Sequence, residues 1–558
     1  MIASDYPSAP LASEPYHETL LRALKKHYET GKNKFAFVDG ERPERGVTFR
    51  LVHDQAYSIS AFLHEKGFGK DVACVVIPNL WQYAPFFLGV ALRGGAVSGA
   101  SAMFTDFELQ RQFVDSGAKV VLTSEDYLEK VLKAVKQSPN VKMVIYIPKE
   151  DDHPVPEGVV SWNKVVRTRY NPKTVPKADI DLDKDMIILP YSSGTTGSPK
   201  GVMLSHSNFG TMMNIYLKHE ATNIVPLIAN DWDYQREKLM LFLPFYHAFG
   251  FGLLNLSLLQ GSTGVVFKHF EPNQFCRAIQ DHKIQLLPLV PPILVFLAKH
   301  PICDQYNLSS IKVLICGAAP AGRDICEELS KKYKNIKKCP VKVFYHFMKP
   351  HVIVGYGMTE CTMASHVPDL KNNVPFGSVG KVASNLRMKI IDPSTGKEMP
   401  AGMPGEICIK GPTVMLGYLG KPDATKSTII NGWLHTGDIG YVDEYRNLFI
   451  VDRLKELIKV KGLQVAPAEL EDLLLAHPLI RDAAVIGIPD KRSGELPRAF
   501  VVRASDSLTE EDVKAWIKDK VSSHKQLAGG VEFLREIPKS PAGKILRRVL
   551  RDRVPSKL

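Results

Sequence analysis

Residues 186–201 read Met186-Ile187-Ile188-Leu189-Pro190, then Tyr191-Ser192-Ser193-Gly194-Thr195-Thr196-Gly197-Ser198-Pro199-Lys200-Gly201. The apolar run is a strand candidate that feeds directly into the polar one. Gly194, Gly197 and Gly201 permit backbone turns that other residues resist. Freed N–H groups and the flanking Ser and Thr hydroxyls can then face phosphate oxygens, and Lys200 adds a positive charge to meet them. This is a phosphate cradle in chemical terms, but not a Walker loop. That motif needs Gly before its Lys and Ser or Thr after it, and here Pro199 and Gly201 hold those places. A flexible Ser/Gly surface loop has the same composition, though rarely this order straight after a strand.

Outward from this loop, short apolar runs alternate with amphipathic stretches. Val72–Ile77, Lys119–Thr123 and Val141–Ile147 read as buried strands, and Tyr83–Arg93 as a helix closed by Gly94-Gly95. The pattern recurs at Met240–Leu243, Gln285–Leu289 and Lys312–Cys316. Strands alternating with helices predict an α/β fold with a parallel sheet covered on both faces. From about residue 372 the texture changes to Gly, Pro and short β-rich runs such as Arg387–Ile391, Gly405–Lys410 and Asn447–Val451. That predicts a smaller β subdomain over about 372–452. Beyond it, Pro467–Ala476 reads as a helix and Ala483–Ile488 as a strand. The expected division is a large N-terminal domain, 1–452, and a small α+β C-terminal domain, 453–558, with the boundary at Asp452–Lys455.

The 558 residues are too many for one small core. Hydrophobic residues make up 45% and charged residues 23%, which argues against long disordered stretches. The net charge of +12 suits anionic substrates, nucleic acid or an acidic membrane surface. The basic residues are scattered rather than clustered, so nucleic acid is not expected as a partner. The apolar stretches Leu239–Leu259 and Ile284–Leu297 are interrupted by proline or by polar residues and glycines, and neither reads as a membrane span. The eight cysteines form no CxxC pair and no zinc-ligand spacing, which predicts free, mostly buried thiols. The N-terminus carries no signal-peptide pattern. Ser556-Lys557-Leu558 matches a peroxisomal address read by an import receptor.

Further runs carry chemistry. Phe245-Tyr246-His247-Ala248-Phe249-Gly250 places a histidine among aromatics, more often a packed core arrangement than a catalytic one. Cys316-Gly317-Ala318-Ala319-Pro320 offers small residues against which a flat ligand can lie, or a plain tight turn. In Gly355-Tyr356-Gly357-Met358-Thr359-Glu360 the tyrosine offers a face for a base, the threonine a hydroxyl and Glu360 a hard oxygen ligand for Mg²⁺. Asp438, in Thr436-Gly437-Asp438, can accept from two adjacent hydroxyls, or serve only as a turn residue. Lys544, in Pro538-Lys539-Ser540-Pro541-Ala542-Gly543-Lys544, can stand between two anions that must approach each other.

Taken in order, these motifs resemble those of the adenylate-forming superfamily, over nearly the whole chain. The resemblance is strongest to the 4-coumarate–CoA ligase and luciferase-like branch. It implies an ATP-dependent acyl-CoA ligase acting through an acyl-adenylate, with ATP, Mg²⁺ and coenzyme A as its small-molecule requirements. By the same resemblance Ser192 to Lys200, Gly317, Ala318, Gly355, Tyr356, Gly357, Thr359, Asp438 and Arg453 would bind the nucleotide. Thr196 and Glu360 would hold Mg²⁺, and His247, Phe249, Gly317 and Met363 would line the acyl site. Lys544, His247 and Lys459 would be catalytic, Lys455 a hinge, and Lys461, Gly462 and Gln464 would serve the coenzyme A step. The sequence departs from the family in Lys338–Val354, KCPVKVFYHFMKPHVIV, which is longer than the usual connection, and in Val354, where Gln is common. Met363 stands where luciferases usually carry a small hydroxyl residue. An acyl-adenylate oxidase and a non-catalytic nucleotide- or acyl-binding protein are the alternatives.

Overall fold

The structure is a computed structural model describing residues 1–150, 153–192, 199–229, 231–317, 323–333, 352–370, 374–375, 377–453, 456–460, 463–490, 493–518, 520–521, 523–539 and 545–554. Side chains are not described at every one of these positions, Arg453 and Gln464 among the exceptions. Outside the described residues lie Ser193 to Ser198, Ala318, Lys455, Lys461, Gly462, Lys544, most of the 338–354 run, and Ser556 to Leu558.

Strands Ala96–Gly99, Val72–Val76, Val120–Ser124 and Met143–Ile147 lie side by side and parallel. The last three of these supply fifteen residues, of which all but Met143 are buried. Continuous apolar runs of this kind belong to strands covered on both faces. Every residue of helix Tyr83–Ala91 is buried, and Phe86 and Phe87 are at most 1% exposed. Each contributes about 1.5–3 kcal/mol by leaving water.

The parallel strands do not form one sheet. Lys238–Leu241, Thr263–Val266 and Phe35–Asp39 run parallel in a second sheet. Leu286–Leu289, Val313–Cys316 and Val352–Val354 run parallel in a third. That third sheet takes in part of the long 338–354 run. Its end, Val352–Val354, is a strand paired with Leu314–Cys316, and Gly355 N–H donates to Cys316 O at 3.1 Å. The apolar, β-branched end of that run is there to fill a sheet position.

The β-rich region forms an antiparallel sheet of Arg387–Ile391, Gly405–Lys410, Trp433–Val442, Ile429–Ile430 and Leu448–Arg453. Its outer strand is Ile2–Ala3, from the start of the chain. One hydrophobic cluster links residues from Ala9 to Leu448. Separate clusters lie within residues 458–554, around Leu470 and Val501 and around Phe500 and Leu550. There the long hairpin Ile480–Asp490 with Gly494–Arg503 carries helix Pro467–Leu475.

The described cysteines 74, 276, 303, 316, 361 and 408 are buried and outside any disulfide. No helix among the described residues is long and apolar enough to cross a membrane.

Candidate active site

The strand before the glycine-rich turn, Met186–Ile188, ends two residues before the expected Pro190. Tyr191–Ser192 and Lys200–Ser205 then pair antiparallel, Ser192 opposite Lys200. The strands that flank residues 193–198 are therefore paired with each other. Lys200–Ser205 also pairs with Gly417–Tyr418, from the β-rich end of the chain.

This pairing assembles a carboxylate centre. Glu360, only 6% exposed, accepts at Oε1 from the Ser192 hydroxyl (3.0 Å) and from the Tyr418 hydroxyl (2.9 Å). The Lys200 ammonium lies 4.8 Å from the centre of the Tyr418 ring. The Tyr418 phenol is pushed above its ordinary value by burial and by the Glu360 charge. A buried carboxylate of this kind beside hydroxyls is a hard-oxygen donor set, which fits Mg²⁺. Thr196, the other expected ligand, lies outside the described residues.

The other end of the same segment faces Asp438. The Tyr356 hydroxyl donates to Asp438 Oδ2 at 2.7 Å. Burial, and then the Asp438 charge, hold the phenol protonated. Asp438 sits on strand Trp433–Val442, opposite Arg453 in backbone register. Its turn is braced: Gly437, at φ +70°, donates its N–H to Glu406 Oε1 at 3.1 Å, and Thr436 donates to Ile407 O at 2.8 Å. Glu406 Oε2 lies 2.9 Å from His435 Nδ1, with Cys408 Sγ 3.7 Å from the same nitrogen. These three residues could in principle hold an ion. Both oxygens of Glu406 are already engaged, so the cluster acts as a brace for the Asp438 turn.

Between Tyr356 and the acyl side, the backbone is strained. Thr362 has φ +72° and ψ −47°, and Met363 N–H donates to Cys361 O at 2.9 Å. This is a γ-turn of the rare positive-φ kind, at a β-branched residue. The Thr362 hydroxyl holds it by donating to Thr413 O at 2.7 Å. The turn brings Met363 against helix Ala248–Gln260, where a Cβ on Gly252 would lie 2.2 Å from the Met363 sulfur. It also forces a glycine at 357, where a Cβ would lie 1.8 Å from Met363 O.

That helix carries the other acyl-side candidates. His247 is its N-cap, and its Nδ1 accepts from Phe249 N–H at 3.3 Å. The hydrogen of the neutral ring is then on Nε2. The Phe249 ring packs on Gly317, where a Cβ would lie 3.0 Å from it. Gly317 ends strand Val313–Cys316, and its N–H donates to Leu289 O at 3.1 Å.

The remaining candidates lie in the C-terminal segment. Lys459 is exposed, pairs with Gln464 across a hairpin, and donates its N–H to Glu495 at 2.7 Å. Lys539 opposes Ile545 in an isolated β-bridge, and its ammonium holds Asp482 at 2.6 Å. Of the two lysines in that motif, Lys539 is thus already paired. Arg547, next along, is buried against Glu456 (2.8 Å) and Glu471 (2.7 Å). Asp452 reaches across the expected boundary to accept from Ala468 N–H at 3.0 Å.

The structure therefore brings together Ser192, Lys200, Tyr356, Glu360 and Asp438 as one group, and His247, Phe249, Gly317 and Met363 as another. Sequence reasoning missed Tyr418, Glu406, His435 and Thr362. Tyr418 meets Lys200–Ser205 only through a strand pairing far along the chain, which no local pattern reveals.

Comparison with known proteins gives the family. Residues 24–419 match the AMP-binding enzyme family, and residues 469–544 match the AMP-binding enzyme C-terminal domain. A 4-coumarate:CoA ligase 1 of Petunia hybrida is 38% identical over 519 residues, covering 91% of this chain and 89% of that protein. A 4-coumarate–CoA ligase 1 of Arabidopsis thaliana is 38% identical over 513 residues, with coverage of 90% and 87%. Among solved structures, ATP-bound MatB from Rhodopseudomonas palustris is similar in fold, with a TM-score of 0.81, 24% identity and coverage of 96% and 98%. The anthranilate CoA ligase AuaEII in complex with anthranoyl-AMP also has a TM-score of 0.81, with 23% identity and coverage of 99% and 98%. With the family model spanning most of the chain and relatives aligned along nearly all of it, the protein belongs to the AMP-binding enzymes, the adenylate-forming superfamily.

Proposed function

We infer that this protein is an ATP-dependent acyl-CoA ligase, which joins a carboxylic acid to AMP and then passes the acyl group to coenzyme A. The carrying observation is that one short segment serves two groups at once: Tyr356 holds Asp438, and Glu360 holds Ser192. Asp438 suits ribose hydroxyls, and the Ser192–Lys200 hairpin suits phosphates. A nucleotide laid between them has its α-phosphate beside Thr359.

A carboxylate is a poor acyl donor because oxide is a poor leaving group. In the first half-reaction its oxygen bonds to the α-phosphorus and the bond to pyrophosphate breaks. In the second, the coenzyme A thiolate bonds to the acyl carbon and AMP leaves. The protein's task is positioning and charge neutralisation. Lys200 and the loop hydroxyls hold the departing pyrophosphate, and His247 and Phe249 orient the acid. Lys544 stands between carboxylate and α-phosphate during the first step. Mg²⁺, when bound by Glu360 and Thr196, supplies further neutralisation of phosphate charge. The second step requires Lys544 to withdraw, which a rotation about Lys455 accomplishes, bringing Lys459, Lys461, Gly462 and Gln464 to the coenzyme A side.

The relatives' names support an aromatic acid such as a hydroxycinnamate; a fatty acid fits the same apolar site. The tripeptide 556–558 supports peroxisomal import of a chain ending there, and removal of Leu558 is expected to leave the protein in the cytosol. The activity itself is tested with a panel of carboxylic acids. An acid that gives pyrophosphate, AMP and a thioester in equal amounts supports the reading; nucleotide binding with no pyrophosphate released from any acid contradicts it.

A further inference from the structure

Strands Gly405–Lys410 and Trp433–Val442 pair antiparallel, but not residue for residue. Glu406 stands opposite Ile439 and Cys408 opposite His435, so two steps along one strand face four along the other. The surplus is a bulge at Thr436-Gly437-Asp438, the turn that presents Asp438. Bulges re-aim side chains, often beside active sites. Strand Gly405–Lys410 itself stays regular against Arg387–Ile391, so Glu406 and Cys408 share one face by alternation. His435 meets that face from across the pair.

The three side chains converge. His435 Nδ1 lies 2.9 Å from Glu406 Oε2 and 3.7 Å from Cys408 Sγ. In a tetrahedral Zn²⁺ site, ordinary bond lengths put nitrogen about 3.4 Å from an oxygen ligand and about 3.6 Å from a sulfur ligand. One ligand atom from each residue lies within 4.8 Å of the others, and no other three His, Cys, Asp or Glu side chains among the described residues are so placed. Glu406 and Cys408 are buried, whereas His435 is half-buried, so an ion can enter from its side and keep a water as fourth ligand. Sulfur and imidazole nitrogen suit Zn²⁺ and not Mg²⁺. A thiolate and a carboxylate together balance the charge of a divalent ion. The carboxylate is also held from behind, as metal-ligating carboxylates are: Glu406 Oε1 accepts from Gly437 N–H at 3.1 Å. Lys389, opposite Cys408 in register, favours the thiolate, and its ammonium lies 4.9 Å from the centre of the Trp433 ring. Without an ion, burial and the Glu406 charge push the Cys408 thiol up to about 12. His435 Nδ1 then carries the ring's hydrogen, because an ionised carboxylate only accepts.

We propose that Glu406, Cys408 and His435 form a site for a thiophilic divalent cation of the Zn²⁺ class, which pins the two flanks of the Asp438 bulge together. The ion binds Glu406 Oε2, Cys408 Sγ and His435 Nδ1, replacing the contact between Glu406 and His435. The thiol proton leaves to solvent, and the imidazole hydrogen moves from Nδ1 to Nε2. Glu406 Oε1 stays on Gly437. The site does not depend on the ligase reading, and its test measures no turnover. The reduced full chain, with Mg²⁺ in excess, is titrated with Co²⁺ and followed by absorption. A thiolate-to-cobalt charge-transfer band in the near ultraviolet, with the intense visible bands of four-coordinate cobalt, is expected to saturate at about one ion per chain. Zn²⁺ should bleach both, because its filled d shell gives no such visible bands. Cys408→Ser should lose the ultraviolet band, and His435→Asn should lose it at the cobalt concentration that saturates the wild type. Cys276→Ser, which removes one of two other thiols 3.9 Å apart, should keep it. No charge-transfer band in the wild type, or a band at full height in Cys408→Ser or in His435→Asn, overturns the proposal.

Discussion

The two ends of the site are built differently. The proposed nucleotide end is a set of side-chain hydrogen bonds, with Ser192 and Tyr418 on Glu360, Tyr356 on Asp438, and Glu406 behind the Asp438 turn. The acyl end is apolar packing of Phe249 on Gly317 and Met363 on Gly252. Hydrogen bonds to a carboxylate fix position closely, whereas apolar walls tolerate changes of shape. The first suits a nucleotide common to every turnover, and the second a substrate that differs between related enzymes.

The largest test of that contrast is Glu360→Gln. It should lower pyrophosphate release by about 100-fold or more, since the charged oxygen that would hold Mg²⁺ against the phosphates is lost. Asp438→Asn should cost about 10–100-fold in kcat/KM for ATP, through a lost charged acceptor, and leave the ranking of acids unchanged. A changed ranking would mean that the two ends are not separable.

Glu220 gives a test of smaller size. Its folded value of about 7 lies above the ordinary 4.5. The stability gained from its neutral, buried form is fully present below the unfolded value and is lost as pH rises through the folded one. Relative to wild type, Glu220→Gln should therefore become more stable between about pH 5 and about pH 8, by up to about 3 kcal/mol, read from denaturant midpoints at each pH. A pH-independent difference would show that this carboxyl is not held neutral by burial. The smallest effect is expected from Thr362→Gly. It relieves the positive φ but removes the bond to Thr413, so stability should change by less than about 1 kcal/mol, while the acid preference shifts because Met363 is less firmly placed.

The nucleotide end was the more legible in sequence, for a physical reason. Chemistry that needs a turn, a hydroxyl and a charge in fixed order must write them consecutively, as at 192–201 and 355–360. Strands such as Val72–Val76 and Gly405–Lys410 were equally clear, because burial on both faces or alternation leaves a pattern. The division of parallel strands among three sheets left no such mark, since periodicity reports burial but not the neighbour. The Tyr418 bond to Glu360 depends on that missing information. Val352–Val354 was hidden because its apolar character merges with the run before it. Thr362 was illegible because its conformation opposes the preference of a β-branched residue, and only the surrounding fold imposes it. Glu220 carried no motif at all; its raised carboxyl comes from burial.

The central claim is that one ATP is held by the Ser192–Glu360–Asp438 group while the distant Lys544 joins it for the first half-reaction alone. The most direct measurement follows both half-reactions in Lys544→Ala: pyrophosphate release from ATP and acid, and thioester formation from supplied acyl-AMP and coenzyme A. The expected result is loss of the first by about 100-fold or more, with the second largely spared. Equal loss of both, or retention of the first, would contradict it.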